Sequence, residues 1–242
     1  MKNQLACAAL FALSTSPLFA DVEIKMQSPD GLVTTFWIGP DKVNMATESA
    51  SGYVIVDVKQ QKQFLIDHNE GMVIDVSDGF SDPSVSAPQS NANTPQESSV
   101  DIRIEKAGKG PEIAGFNSEI YEIKANGTLC SKEFLSTEPF RHPEIVQLLK
   151  VMELLGESDD INNNTLYSPC EQAELTLERQ YQHYGIPLKS VDANGITSSE
   201  VIDFKVADAP AGIYDFPRGY AVTTMRQLLQ EQMENMTPPS TQ

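Results

Sequence analysis

Between residues 22 and 76 the chain is a succession of short apolar–polar alternations separated by polar turns. Val22, Ile24 and Met26 alternate with Glu23 and Lys25, the period-two pattern of a strand with one buried face. Residues 32–38 (LVTTFWI) are rich in β-branched and aromatic side chains. Gly39-Pro40-Asp41 supplies turn chemistry, and residues 42–45 (KVNM) return with alternation. Residues 52–58 (GYVIVDV), 63–67 (QFLID) and 72–76 (MVIDV) complete six predicted strands. The links between them are too short to carry a crossover helix, so neighbouring strands are predicted to run antiparallel in a meander.

The second half repeats the pattern and then changes period. Residues 100–106 alternate, residues 108–115 hold three glycines and read as a loop, and residues 116–123 (FNSEIYEI) alternate again. Asn126-Gly127 is a hairpin signal leading into residues 129–135. From Arg141-His142-Pro143 the spacing predicts a helix to Leu155, with Pro143 in the first turn and Gly156 as its stop. Ile145, Leu148, Leu149, Met152 and Leu155 form its stripe, and Val146, Val151 and Leu154 widen it. A helix this apolar is covered on more than one side. A second helix is predicted over residues 171–184, a hairpin over 186–206 around Asp192-Ala193-Asn194-Gly195, and a short helix from Met225 to Met233. Residues 81–99, rich in Ser, Pro, Asn and Gln, read as a flexible insertion within a single domain spanning 21–236, and 237–242 as a disordered tail. The fold class is therefore mainly β (α+β).

Charge narrows the partners. The 242 residues carry 34 acidic and 17 basic side chains, a net charge of -17. Such a chain repels phosphate backbones and anionic headgroups, which argues against nucleic-acid and membrane-surface partners. Residues 1–20 have the arrangement of a signal peptide: Lys2, an apolar run over 5–13, and Ala20 before the expected cut. The run is too short for a membrane span, and Cys7 lies too early for a lipoprotein signal. A periplasmic protein beginning near Asp21 is expected. Cys130 and Cys170 remain after cleavage, 40 positions apart. In an oxidising compartment such a pair reads as a disulfide stapling helices to sheet, the alternative being two buried free thiols.

No GxSxG elbow, HExxH, phosphate loop or dinucleotide fingerprint occurs. His68 is read as a solvated turn residue, His142 as part of a helix cap and His183 as a helix-end residue. Residues 75–82 and 159–164 are oxygen-rich, but neither matches the EF-hand pattern. The reading is a non-enzyme without metal or cofactor.

Four segments occur in a fixed order: GPDKVNM (39–45) after the Trp37 strand, GYVIVDVKQQKQFLID (52–67), IAGFNSEIYEI (113–123) and AGIYDFPRGYAV (211–222). This order resembles an uncharacterised family of exported bacterial proteins in the outer-membrane lipoprotein carrier (LolA/LolB-like) superfamily. The resemblance implies a strongly curved antiparallel sheet, an incomplete barrel, covered by two or three helices. It implies a cavity for acyl chains. Phe36, Trp37, Ile145, Leu148, Leu149 and Met152 are then expected to line an apolar interior holding a lipid, acyl chain or lipoprotein anchor. The alternative is an envelope interaction or structural protein with a filled barrel.

Overall fold

A computed structural model describes residues 20–77, 100–156 and 167–236. The expected insertion and tail, and the expected signal peptide up to residue 19, lie outside them. The first half forms β1 (Asp21–Gln27), β2 (Val33–Ile38), β3 (Lys42–Thr47), β4 (Gly52–Asp57), β5 (Lys62–Asp67) and β6 (Met72–Asp75). Each pairs antiparallel with the next, as the short polar turns require. The second half supplies β7 (Ile102–Ile113), β8 (Phe116–Ala125), β9 (Thr128–Ser136), β10 (Ile186–Asp192), β11 (Thr197–Ala207) and β12 (Ala221–Thr224). All twelve strands join one open sheet in the order β12-β6-β5-β4-β3-β2-β1-β11-β10-β9-β8-β7. The halves meet where β1 pairs with β11.

Helices α1 (Pro143–Gly156), α2 (Pro169–Glu178), α3 (Tyr181–Tyr184) and α4 (Met225–Met236) complete the described elements, with a 3-10 turn at Glu138–Arg141. None is long and apolar enough to cross a membrane. The count exceeds the two or three helices expected, because the segment predicted as one helix over 171–184 breaks in two. Arg179 ends α2, and Tyr181 starts a separate turn that Gly185 closes. The start of α2 is a capping box: Ser168 accepts from the Glu171 amide, and Glu171 accepts from the Ser168 amide.

Two further elements depart from the expectation. Residues 108–115 are not a loop, since β7 runs through them to Ile113, with register shifts after Lys106 and Lys109. Gly110 permits this: a Cβ there would lie 2.2 Å from Ser118 Oγ, and the Ser118 hydroxyl instead donates to the Pro111 carbonyl at 2.6 Å. The reversal falls on Ala114-Gly115, with φ of 51° and 84°, the same left-handed pair that Asn126-Gly127 makes in the predicted hairpin. Strand β12 was also not expected, and it pairs parallel with β6.

Successive strand residues point to opposite faces, and here both faces are covered. On one face Val22, Ile24, Ile38, Val43 and Val56 join Phe116, Ile123 and Leu135 in a core. Ile145, Leu149 and Val151 of α1, Ala173 and Leu177 of α2, and Tyr181 of α3 pack into it. The opposite face holds a smaller cluster, Ile55, Ile66 and Val73, with Tyr53, Phe64 and Tyr220 against it. Residues 208–220 cross this second face as a strap. The Ala209 amide donates to Asp21 Oδ2 at 3.0 Å, Asn44 Nδ2 donates to the Ile213 carbonyl at 3.0 Å, and Phe216 meets Phe64 edge-on. The strap ends beyond Tyr220, whose hydroxyl lies 2.7 Å from His68 Nδ1. His68 is thus an exposed turn residue, as read, but its ring bonds the strap.

Candidate functional site

Of the residues expected to line an apolar interior, Ile145 and Leu149 are buried in the main core, and Phe36, Leu148 and Met152 are half-buried against it. Trp37 is not with them. It follows Phe36 in β2, so its side chain leaves the opposite face, where its cross-strand partners are Glu23 and Asn44. The six residues therefore do not form one lining. The pairing of Cys130 with Cys170 is present as a disulfide with Cα atoms 5.3 Å apart. It fastens the first turn of α2 to β9.

A polar pocket of about 370 Å³ opens between α2, α3 and strands β9–β11. Ser131 and Glu133 of β9, Ser190 and Asp192 of β10, and Ser198 and Ser199 of β11 form one wall; Glu174, Leu177 and Glu178 of α2 and Tyr181 of α3 form the other. The local sequences dictate this. Ser131, Glu133 and Leu135 alternate onto the helix-covered face of β9. Glu174, Leu177 and Glu178 fall three and four apart on one side of α2. Leu177 and Tyr181 anchor the helices in the core, which brings the two glutamates to the rim.

Glu133 lies at the floor and is only 6% exposed. The Ser190 hydroxyl donates to it, and its antiparallel neighbour on β8 is Tyr121. Burial holds its carboxyl above the usual carboxylate range; the Ser190 hydroxyl opposes this through its hydrogen bond and the Ser131 hydroxyl from close by, outside hydrogen-bond geometry, and Glu174 and Glu178 add to it. Burial likewise raises Glu174, with Glu171 adding to it. Burial and the carboxylates of Glu133, Glu178 and Glu174 keep the Tyr181 phenol protonated. Asp192 is held low by the Ile196 amide and the Asn194 side chain. None of the lining residues is basic. Ser131 is 4% exposed, and its Oγ is buried with no partner in hydrogen-bond geometry, the one such side-chain atom among the described residues.

The pocket was not anticipated from sequence. The signal for it is a charge at an inward position of a strand: the alternation that buries Leu135 also buries Glu133, and a buried carboxylate is costly unless a partner meets it.

Because burial raises Glu133, the unfolded chain releases its proton at lower pH than the folded chain does. The stability linked to this group is present in full below the ordinary glutamate pKa and is lost as pH rises through the elevated value. Glu133→Gln is therefore expected to match wild type under acid conditions and to become the more stable protein as pH rises to neutrality. Urea unfolding of both proteins across this range checks it; a wild type that stays equal or more stable at neutral pH refutes it.

Elsewhere, His142 precedes the Pro143 start of α1 and meets the Phe204 ring at a tilt, and His183 meets Tyr184 edge-on. In the oxygen-rich segment that starts at the end of β6, Asp75 is engaged by Lys62 at 2.8 Å and by the Ser77 amide at 3.0 Å. Residues 78–82 and 159–164 lie outside the described residues. No protein-family model matches the chain, and no curated protein matches it.

Proposed function

We propose that the chain is an exported, non-enzymatic binding protein of the bacterial envelope that shelters the apolar part of a ligand, a lipid or acyl chain, between α1 and the sheet. The observation that carries this reading is the surplus of apolar surface on α1. Ile145, Leu149 and Val151 are buried, yet Leu148 and Met152 stay half-buried and Val146 is 41% exposed. That is more apolar surface than the helix's packing on the sheet covers. Each buried methylene of a ligand contributes about 0.8 kcal/mol, so roughly ten of them would support useful affinity after association costs.

A bent sheet, the incomplete barrel, belongs to the same proposal. Phe116 of β8 and Phe204 of β11 have ring centroids 4.7 Å apart, although β9 and β10 lie between their strands. A flat sheet separates residues three strands apart by roughly 14 Å. The contact supports inward bending at this end. Export is consistent with the Cys130–Cys170 disulfide.

Native mass spectrometry of protein from the periplasm, with lipid extraction of the same sample, tests the proposal. The expected result is a chain beginning near Asp21 that carries lipid, and weaker binding of a fluorescent acyl-chain probe by Leu148→Trp, which fills space without adding charge. Protein without lipid that leaves the probe unchanged refutes it. A second reading, an envelope interaction protein, is favoured by Val222, Leu229 and Met233, which are 65%, 51% and 60% exposed on edge strand β12 and α4, and it takes over on that outcome.

A further inference from the structure

The pocket between α2, α3 and strands β9–β11 is independent of the α1 reading, since none of the α1 residues lines it. Its lining has four carboxylates, Glu133, Glu174, Glu178 and Asp192, and the hydroxyls of Ser131, Ser190, Ser198, Ser199 and Tyr181, with no basic residue among them. Glu133 is almost completely buried, and its hydrogen-bond partner is neutral Ser190. Ser131 Oγ is buried beside it with no partner in hydrogen-bond geometry. A buried carboxylate and an unsatisfied hydroxyl each cost free energy that a donor-rich cation would return. We infer that this pocket binds a small aliphatic polyamine, with one ammonium group seated on Glu133 and Ser131 and another reaching the rim at Glu174.

The choice of an extended organic cation over a metal ion follows from the placement of the carboxylates. Divalent cations need several oxygens converging at one point, and no group of three or more His, Cys, Asp or Glu among the described residues is placed to hold a metal. Glu133 at the floor and Glu174 at the rim are instead distributed along the cavity. An ammonium group brings three donors and no acceptor, which matches a lining of carboxylates and hydroxyls. A volume of about 370 Å³ lies in the range of small-molecule sites.

Calorimetric titration of the full exported chain, disulfide intact, with spermidine tests the inference. The expected result is one saturable site that survives moderate salt and is not reproduced by a neutral diol of similar length. Glu133→Gln weakens it about tenfold or more, and Ser131→Ala about threefold to tenfold. Glu174→Gln, at the exposed rim, also weakens it, and removes the concern that a core substitution acts through folding. Glu70→Gln, on the distant β5–β6 turn, leaves it unchanged. No saturable binding of spermidine overturns the inference. So does binding that salt abolishes and that Glu70→Gln weakens as much as Glu133→Gln, which is attraction to the net charge of -17. Tighter binding of Mg²⁺ than of spermidine, lost in Glu133→Gln, overturns it in favour of a metal site.

Discussion

Replacing Cys130 and Cys170 together by serine lowers the stability of the oxidised protein by about 3–4 kcal/mol in the chain-entropy view of a closed loop. The bond joins positions 40 residues apart, so it restricts a long stretch of the unfolded chain, including all of α1. In the folded chain it acts at one place, tying the first turn of α2 to β9. That helix rests on β7, β8 and β9 and carries Glu174, Leu177 and Glu178 into the acidic pocket. The double variant should therefore lose both global stability and the definition of this wall. Urea unfolding of oxidised wild type and the serine double variant gives the difference directly. A loss below about 1 kcal/mol would show that the bond restrains a chain already ordered at both ends.

Gly185→Ala is expected to cost about 3 kcal/mol or more, from backbone strain and collision together. Gly185 closes α3 and feeds β10, with φ of 109° and ψ of 169°, a region that residues with a Cβ seldom adopt. A Cβ there would lie 2.5 Å from both the carbonyl carbon and the carbonyl oxygen of Ser136. Those are backbone atoms of β9 held in the sheet, so neither can move aside cheaply. Gly195→Ala separates the two contributions. Gly195 has φ of 85° and nothing within 4 Å of the added carbon, so strain alone operates, about 1–2 kcal/mol. Midpoints of urea unfolding for the two variants decide the matter, and a Gly185→Ala cost no larger than that of Gly195→Ala removes the collision from the account.

Much of this architecture is written locally. The six strands of the first half, the Asn126-Gly127 hairpin, the Pro143 start of α1 and the Asp192–Gly195 turn each depend on side chains within a few positions of one another. Alternation, turn chemistry and helix capping act over that range, and no distant partner is needed to choose the conformation. The disulfide was readable for a different reason: with residues 1–20 set aside as an expected signal peptide, two cysteines remain and leave one intramolecular pairing. The same local rule would have separated Phe36 from Trp37, since adjacent residues of a regular strand point to opposite faces.

What the sequence by itself determined is which segments extend, which coil, and which side of each strand is apolar. It could say that β4, apolar at Tyr53, Val54, Ile55 and Val56, is covered on both faces, because exposing either would forfeit the burial that drives folding. Only the tertiary structure decided what covers the sheet: α1 over β1–β3 and α2 over β7–β9 on one face, the strap of residues 208–220 on the other. Only it brought β1 beside β11, gave β12 a partner in β6, and set Glu133 under Glu174. Those contacts join residues far apart in sequence, and their energy depends on shape, on distance and on which polar groups lose water together. Alternation carries none of that information, so the acidic pocket became visible only when the strands and helices were in place.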